Sequence, residues 1–414
     1  MVLSLDSLST ELLLKIFKSL DIYDLCRLKQ TCRRFNEVIE QWGSLLNKNV
    51  VPLITNQVHP AIINRSGRIL SSFERLRVSR NWKLGLYKER MLLYSKIKYI
   101  PWLQLEKNLL WISRGRCIQA YKRSSKGINT RNVVYTIKGS KNADVCRFVK
   151  KSNYILSGQM DGSLWLWSTD DHNFVFDLKS YHDADINSVD ICDNIIVSGS
   201  RDNYVKIRHK PDDNEAFFHQ IDLQGRVWSV ALSEENKSLL AIGTDGIDHM
   251  STVHIFDMNR QSFFAHYYPD IFGDILGAGV LDLKWESASV LWSCGYDSYL
   301  RRWDLRTGKC EQALGDPNFA TVYCFQYDHV NSIISGTNSH GRVVLWDTRQ
   351  DNYVQMYFME SCRRPGKSSP IYSLSYDADF LFTVTDQHVN VLDFSVFNGT
   401  PKDYSNLFGK LIKV

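Results

Sequence analysis

Histidine, serine and aspartate, the three residue types of a hydrolytic triad, lie close together in this 414-residue chain at His182, Ser198 and Asp202. In a serine hydrolase the histidine takes the proton of the nucleophilic serine, and the carboxylate orients the imidazole. Here, however, the serine is part of the turn SGSRD, which separates two short runs whose apolar residues alternate. Such alternation predicts paired β-strands. The segment is therefore either a catalytic site or one unit of a repeated fold.

No other motif in the sequence indicates catalysis. The nine cysteines include no C-x-x-C pair, and no Cys/His grouping has the spacing of a zinc finger. The glycine-containing turns GTDGIDH and GAGV fit neither a phosphate-binding loop nor a dinucleotide fingerprint. We therefore expect no metal and no cofactor, and free thiols in a reducing compartment, cytoplasmic, nuclear or both.

Composition and charge argue against nucleic acid and against a membrane. The net charge is only +5, from 50 basic and 45 acidic residues, whereas a nucleic-acid adaptor would need a contiguous basic stripe. The start, MVLSLDSLSTELLLKIF, has no basic n-region and is interrupted by Asp6, Glu11 and Lys15. No run approaches 18 apolar residues. We expect neither a signal peptide nor a membrane span.

Segments like the one that contains Ser198 recur along the chain. They are 102–121 (WLQLEKNLLWISRGRCIQAY), 155–167 (ILSGQMDGSLWLW), 195–210 (IIVSGSRDNYVKIRHK), 240–257 (LAIGTDGIDHMSTVHIFD), 291–304 (LWSCGYDSYLRRWD), 333–347 (IISGTNSHGRVVLWD) and 381–393 (LFTVTDQHVNVLD). One position in each holds Tyr121, Trp167, Arg208, Phe256, Trp303, Trp346 or Leu392, at intervals of 41 to 48 residues. This period is close to that of a WD-type blade. The sequence predicts a mainly β fold, a seven-bladed WD-type β-propeller.

A ring of seven four-stranded sheets has no long exposed edge, but it must be closed. Closure normally takes a strand from the other end of the chain. Segment 89–95 (ERMLLYS) is our candidate to complete the last blade, and segment 397–414 is the alternative.

The front of the chain has a different period. Apolar residues in 5–49 recur at helical spacing and form stripes. A helical segment of this size cannot bury its apolar surface alone. It either packs on the propeller or offers a groove to a partner's helices.

Segment 8–47 (LSTELLLKIFKSLDIYDLCRLKQTCRRFNEVIEQWGSLLN) resembles an F-box. It matches the family pattern Leu-Pro-x-Glu-Leu-Leu-x-x-Ile-Phe, then Leu-Asp, Asp-Leu and a Cys-Arg-x-aromatic turn, with Ser9 in place of the proline. Together with the repeats, the chain resembles the F-box/WD-repeat family. The resemblance implies a small all-α F-box domain at 5–49, a helical connector at 50–88 and the propeller at 89–414.

Members of this family are substrate receptors of the SCF ubiquitin ligase. The F-box binds a Skp-type adaptor, which brings cullin and RING subunits, and the propeller binds a protein substrate. The chain would then not be an enzyme, and the His182–Ser198–Asp202 set would be the structural network of a WD unit. The expected adaptor contacts are Leu8, Leu12, Leu13, Ile16, Phe17, Leu20, Leu25 and Leu28. The F-box begins too near Met1 for a preceding dimerisation helix, so we expect a monomeric receptor.

The family register also predicts which residues surround the mouth of the central channel. The expected substrate contacts are Cys146, Asn187, Arg201, Trp228, Tyr296, Tyr323 and Tyr372. Receptors that read phosphorylated motifs place several arginines there, since guanidinium groups suit phosphate. Here Arg201 is nearly the only arginine, and most of the other residues are aromatic. We therefore expect the substrate to be bound through apolar and aromatic contacts, with at most one anionic group paired to Arg201. The alternative function is a WD-repeat scaffold outside ubiquitin ligases.

Basic residues are frequent in the connector. They are Arg65, Arg68, Arg75, Arg77, Arg80, Lys83 and Lys88. Such a run forms either a solvated face or a contact with an acidic partner. The solvated face is the simpler expectation.

Overall fold

Twenty-eight β-strands and five α-helices make up the described part of the chain. The computed structural model describes residues 4–20, 22–46, 52–124, 127–140, 142–170, 174–210, 218–247, 250–267, 278–359, 369–397 and 401. The helices are α1 Thr10–Phe17, α2 Ile22–Lys29, α3 Arg33–Leu46, α4 Pro60–Ile63 and α5 Ser72–Leu84, after a 3₁₀ turn at Leu5–Ser7. None of these helices is both long enough and apolar enough to cross a bilayer.

Within the described residues, the strands follow the helices along the chain. The first half comprises β1 Lys88–Tyr94, β2 Leu103–Leu105, β3 Leu109–Arg114, β4 Cys117–Ser124, β5 Gly127–Lys138, β6 Val145–Lys151, β7 Tyr154–Gln159, β8 Leu164–Ser168, β9 Phe174–Leu178, β10 Ile186–Cys192, β11 Ile195–Ser200, β12 Tyr204–His209, β13 Phe218–Asp222 and β14 Val227–Leu232. The second half comprises β15 Leu239–Thr244, β16 Val253–Asp257, β17 Ser262–Tyr267, β18 Val280–Ser287, β19 Val290–Gly295, β20 Tyr299–Asp304, β21 Lys309–Gly315, β22 Val322–Tyr327, β23 Ser332–Thr337, β24 Arg342–Asp347, β25 Tyr353–Phe358, β26 Ser373–Tyr376, β27 Phe380–Val384 and β28 His388–Asp393.

The strands form seven four-stranded antiparallel sheets, which confirms the seven-bladed propeller. Blades 1 to 6 each contain four consecutive strands, from β2–β5 to β22–β25. Blade 7 has the order β1-β28-β27-β26, so β1 supplies its outer strand. Segment 89–95 therefore closes the ring, as the sequence predicts, and the register pairs Glu89 with Leu392.

The residue at the repeated position lies in the third strand of every blade and faces the second strand. Trp167 pairs with Ile155 in blade 2, and Arg208 pairs with Ile196 in blade 3. Trp303 and Trp346 each donate an indole hydrogen bond to a serine, Ser293 or Ser335, of the neighbouring strand. Arg208 places its guanidinium over the Phe176 ring, 5.0 Å from the centroid. Its side chain thus occupies the space that an aromatic ring fills elsewhere.

The hydrophobic core lies mainly between adjacent blades. One cluster joins Trp292 and Leu300 of blade 5 to Phe325 and Trp346 of blade 6. Each blade therefore buries its faces against its neighbours, and the ring is stabilised as a whole.

The N-terminal helices pack against the connector. Leu13, Phe17 and Phe35 form a small core with Phe73 and Leu76 of α5, and the Phe17 and Phe35 rings meet edge to face at 5.4 Å. The apolar stripes thus gain the burial that they could not reach alone.

The connector is anchored on blades 6 and 7. Ser71 and Glu74 form a capping box at the start of α5, and Gly85 ends the helix at φ +66°. The buried Trp82 donates an indole hydrogen bond of 2.8 Å to the Ala378 carbonyl and stacks on Phe394 at 3.7 Å between centroids.

Three of the seven basic residues of the connector contact the propeller, so the expected solvated basic face is wrong for them. Arg77 is buried and donates to the carbonyls of Ser395 and Val396. Arg68 forms a bidentate pair with Asp379, with Nε 2.6 Å from Oδ2. Arg65 lies over the Tyr376 ring at 4.3 Å. These cations bind the propeller itself, and they fix the helical unit in place.

Candidate functional site

The His182–Ser198–Asp202 set is a buried structural network. His182 Nδ1 is 2.8 Å from Asp202 Oδ2, and its Nε2 is 2.8 Å from Ser198 Oγ. Burial raises the pKa of Asp202, but the hydrogen bond and charge of His182 outweigh it and lower that pKa to about 2. Ser198 and His182 are almost fully buried, so no substrate can reach the hydroxyl. The network ties the start of blade 3 to the β11–β12 turn.

The expected adaptor contacts divide into surface and core residues. Leu12 is 51% exposed and Ile16 is 38% exposed on one side of α1. Leu8, Leu20 and Leu28 are partly buried. Leu13, Phe17 and Leu25, by contrast, are buried in the helical core. These three residues support the surface, and they do not form it.

The expected substrate contacts on the inner strands lie at β-bulges. The pairing with the second strand skips one residue near the start of the inner strand in blades 2 to 6. The skipped residues are Cys146, Asn187, Trp228, Leu281 and Tyr323. A bulged residue is unpaired and its side chain is re-aimed. In blade 7, Tyr372 precedes β26 and donates its backbone N–H to Val384.

The residues in the turns after the second strands lie beside these bulges. In blade 3 the Arg201 N–H bonds to the Asp185 carbonyl at 3.0 Å, and in blade 5 the Tyr296 N–H bonds to Gly279 at 2.9 Å. The same bond joins Met160 to Asp144 in blade 2. The repeat therefore brings the two sets of residues together at one end of the ring, which we call the channel mouth.

Blades 4 to 7 supply an aromatic half of the channel mouth, comprising Trp228, Tyr296, Tyr323 and Tyr372. Trp228 meets Tyr296 edge to face at 6.2 Å, and Tyr323 lies 5.8 Å from Tyr372. Burial, followed by the proximity of Tyr323, raises the pKa of Tyr372 to about 12. Burial, followed by the proximity of Tyr296, raises the pKa of Tyr323. The four rings are thus near neighbours, and Tyr296 is 41% exposed.

Blades 2 and 3 supply an acidic half, comprising Asp144, Asp161 and Asp185 around Cys146. Burial raises the pKa of the Cys146 thiol, and the charges of these three aspartates raise it further. Arg201 Nη1 is 3.8 Å from Asp185 Oδ2, so this guanidinium already faces a carboxylate.

Asn187 has a structural contact of its own. Its side-chain amide donates a 2.8 Å hydrogen bond to the Val227 carbonyl. The bond joins the inner strands of blades 3 and 4, so this side chain helps to hold the two blades in register.

An ion pair forms the floor of the channel mouth. Arg147 Nη2 of blade 2 is 2.6 Å from Asp282 Oδ1 of blade 5, and Lys284 Nζ lies 3.7 Å from the same carboxylate. The Arg147 guanidinium also stacks on Trp102 of blade 1 at 3.9 Å. Because blades 2 and 5 lie on opposite sides of the ring, this pair spans the channel. Charged side chains therefore cross the channel just below its mouth.

Phe319, which the sequence analysis did not identify, lies in the loop that leads to Tyr323. Its ring is 84% exposed, and its carbonyl accepts a 2.9 Å hydrogen bond from Ser298 beside Tyr296. The sequence signal is the turn Asp316-Pro317-Asn318, which has no strand or helix period. An exposed aromatic in such a turn is visible in the sequence but does not stand out.

These features define a class of protein: a helical F-box-like unit coupled to a WD-type propeller with an open mouth. The F-box-like family model matches residues 5–45, and the WD domain, G-beta repeat model matches 131–168 and 174–208. Each WD match begins in the outer strand of one blade, β5 or β9, and continues into the next blade. The sequence repeat is therefore offset by one strand from the structural blade.

The chain belongs to the F-box/WD-repeat family. It is 33% identical over 398 residues to F-box/WD repeat-containing protein 4 of Mus musculus and 34% identical to the Homo sapiens protein, covering 94% of this chain and 92% of each relative. Among solved structures, the crystal structure of the computationally designed Ika8 protein matches with a TM-score of 0.51 at 16% identity, over 73% of this chain and 99% of that one. The last likeness concerns the fold alone.

Proposed function

We propose that this protein is the substrate-recognition subunit of an SCF ubiquitin-protein ligase. In this proposal the helical unit at 5–49 binds a Skp-type adaptor, and the adaptor brings the cullin and RING subunits. The propeller at 89–414 binds the protein to be ubiquitinated. The observation that carries the proposal is the exposed apolar surface of Leu12 and Ile16 on a helical unit of the F-box type.

The chain itself contributes binding and position. The connector at 50–88 is bound to blade 7 by Trp82 and Arg77, and the Tyr357 hydroxyl of blade 6 donates a 2.6 Å hydrogen bond to the Trp82 carbonyl. In this proposal these bonds fix the distance from the adaptor surface to the channel mouth. Holding a target near the charged ubiquitin-conjugating enzyme raises the effective concentration of its lysines. The transfer chemistry then takes place on other subunits.

The alternative is a WD-repeat scaffold that acts outside ubiquitin ligases. A scaffold has no need of an apolar surface on α1, whereas Leu12 and Ile16 present one to solvent. The near balance of charge argues against a nucleic-acid adaptor. Adaptor binding therefore discriminates between the two functions.

Replacing Leu12 and Ile16 together by alanine tests the proposal. Leu12 is 51% exposed and Ile16 is 38% exposed. Burying these fractions against a partner contributes about 0.6–1.5 kcal/mol per residue, so we expect the double change to weaken adaptor binding roughly 10- to 100-fold. The measurement is co-purification of the co-expressed adaptor, followed by size-exclusion chromatography with mass determination. A one-to-one complex with wild-type chain is expected.

The matched control is Val58→Ala with Ile69→Ala, which removes two exposed apolar side chains from the connector. This pair should leave adaptor binding unchanged. Equal adaptor yields from the Leu12/Ile16 variant and from the control would overturn the proposal. So would a well-folded wild-type chain that purifies without the adaptor.

A further inference from the structure

We propose that the channel mouth binds an unphosphorylated segment of a partner protein in which apolar or aromatic side chains stand next to a lysine or arginine. This inference rests on the proposed function in one respect: both require the propeller to hold a protein target. It adds the chemical class of that target, which follows from the two unlike halves of the mouth.

The aromatic half offers a contiguous surface for apolar side chains. Trp228 and Tyr296 are in contact, Tyr323 and Tyr372 are in contact, and both pairs lie at the start of the inner strands or in the adjoining turns of neighbouring blades. Aromatic rings are enriched in the centres of protein interfaces because they bury a large area at little entropy cost.

Phe319 presents a further ring in the loop between Tyr296 and Tyr323, where its carbonyl accepts a hydrogen bond from Ser298. Its backbone has φ +53°, a left-handed conformation that costs a residue with a side chain about 1–2 kcal/mol. The ring is 84% exposed, so internal packing does not offset this cost. Asparagine or glycine would adopt the same conformation more easily. The hydrogen bonds of the turn hold this conformation and leave the ring exposed, where a partner can contact it.

The turn that presents Phe319 is rigid. Asp316 is buried and pairs with the buried Arg342, with Nη2 2.6 Å from Oδ1. The same carboxylate oxygen accepts the backbone N–H groups of Asn318 and Ala320, each at 2.9 Å. Because the loop is already ordered, binding through the Phe319 ring would not require the loop to be ordered first.

The acidic half supplies charge complementarity for a basic residue. Burial raises the pKa of Asp161, but hydrogen bonds from Ser163 and Ser140 lower it overall, so this carboxylate is charged at neutral pH. Asp144 and Asp185 each precede the bulged residue of their blade by two positions, and their carbonyls accept the N–H groups of Met160 and Arg201, at 2.9 and 3.0 Å. Their charges add to the effect of burial, which raises the pKa of the Cys146 thiol. Arg201 faces Asp185 at 3.8 Å, which leaves two further carboxylates in the cluster.

A phosphorylated segment does not fit this half. Phosphate recognition uses guanidinium groups that are free to form paired hydrogen bonds. Here the Arg201 guanidinium has a carboxylate beside it, and neighbouring carboxylates would repel a phosphate that approached. The sequence predicts at most one anionic group, paired with Arg201, whereas the geometry favours a cation at this place.

The test uses the full chain, co-expressed with the Skp-type adaptor and purified through a tag on the chain itself, so that it is recovered with or without bound adaptor. The probes are a display library of random twelve-residue peptides and synthetic copies of the best binders, with the basic residue changed to glutamate or with a phosphoserine inserted. We expect selected peptides to combine apolar residues with a nearby lysine or arginine. The glutamate copy should bind at least tenfold more weakly, and the phosphoserine copy no more tightly. Selection of acidic peptides, tighter binding of the phosphoserine copy, or no selection would overturn the inference.

Two matched pairs of variants locate the binding. Phe319→Ala should weaken peptide binding at least fivefold, whereas Phe264→Ala, an exposed ring on β17, should not. Asp185→Asn should weaken it about fivefold, whereas Asp193→Asn, an exposed aspartate paired with Lys237, should not. If Phe319→Ala unfolds at or above the midpoint of the wild type, misfolding does not explain its weaker peptide binding. Unchanged affinity in both Phe319 and Asp185 variants would overturn the assignment.

The same preparation separates failure of this inference from failure of the proposed function. A chain that keeps the adaptor but selects no basic–apolar peptide refutes only the inference. A chain that selects such peptides but never binds the adaptor refutes the ligase function, and leaves the channel mouth as the docking surface of a scaffold.

Discussion

Trp82 joins the helical unit to the propeller, and its replacement by alanine should lower the stability of both. The ring is fully buried, stacks on Phe394 and donates to the Ala378 carbonyl at 2.8 Å. Deleting a buried tryptophan costs about 3–5 kcal/mol, and a buried carbonyl left without its donor adds about 1–3 kcal/mol. Since these contributions overlap, we expect a loss of about 4–6 kcal/mol in the free energy of unfolding.

Two further variants make this prediction quantitative. Trp82→Phe keeps a stacked ring and loses the donor, so it should cost about 2 kcal/mol. Leu84→Ala removes an exposed side chain from the same helix and should cost less than about 0.5 kcal/mol. The assay is urea unfolding followed by circular dichroism, together with hydrogen exchange in α5 and β28. If Trp82→Ala and Leu84→Ala unfold at the same urea concentration, the connector is not the structural link described here.

Two other changes test buried charge. Asp202→Asn should cost about 1 kcal/mol at pH 7. The His182 contact holds the Asp202 pKa at about 2, below its unfolded value near 3.8. The contribution of Asp202 to the free energy of unfolding is therefore present above pH 4 and is lost as the pH falls toward 2. If the free-energy difference between Asp202→Asn and wild type in urea unfolding did not change with pH, this reasoning would be contradicted. Arg147→Met should lower the free energy of unfolding by about 3 kcal/mol because Asp282 loses its main partner. Adding Asp282→Asn should recover part of this loss, since the unpaired charge is then removed. A double variant no more stable than Arg147→Met in the same assay would refute the pairing.

The architecture could be predicted because it repeats. A single copy such as the one around Arg208 is weak, but seven positions in register along the chain impose a common blade. The closing strand was also predictable, since an open ring needs one more strand and segment 89–95 has the required β pattern. β1 then pairs with β28 as expected.

The candidate site was harder to predict because the spacing of apolar residues along a helix does not show which of them are buried and which face solvent. Leu12 and Leu13 are adjacent in one apolar run, yet one is 51% exposed and the other is buried. Only the packing of α3 and α5 decides between them. Arg77 is misjudged for a related reason: its charge indicates solvent, but its partners Ser395 and Val396 lie more than three hundred residues away. Acceptor carbonyls so far away in the sequence cannot be recognised from the residues around Arg77.

The closing strand also has a consequence for protein synthesis. β1 follows α5 after only a few residues, yet its partner β28 is separated from it in the sequence by the strands of all six other blades. During translation the helical unit is therefore complete long before the propeller can close around its outer strand. Under the proposed function, a messenger with a premature stop codon before β28 would yield a chain that competes for the adaptor without presenting a target. Such a product would act as a dominant inhibitor of the intact receptor.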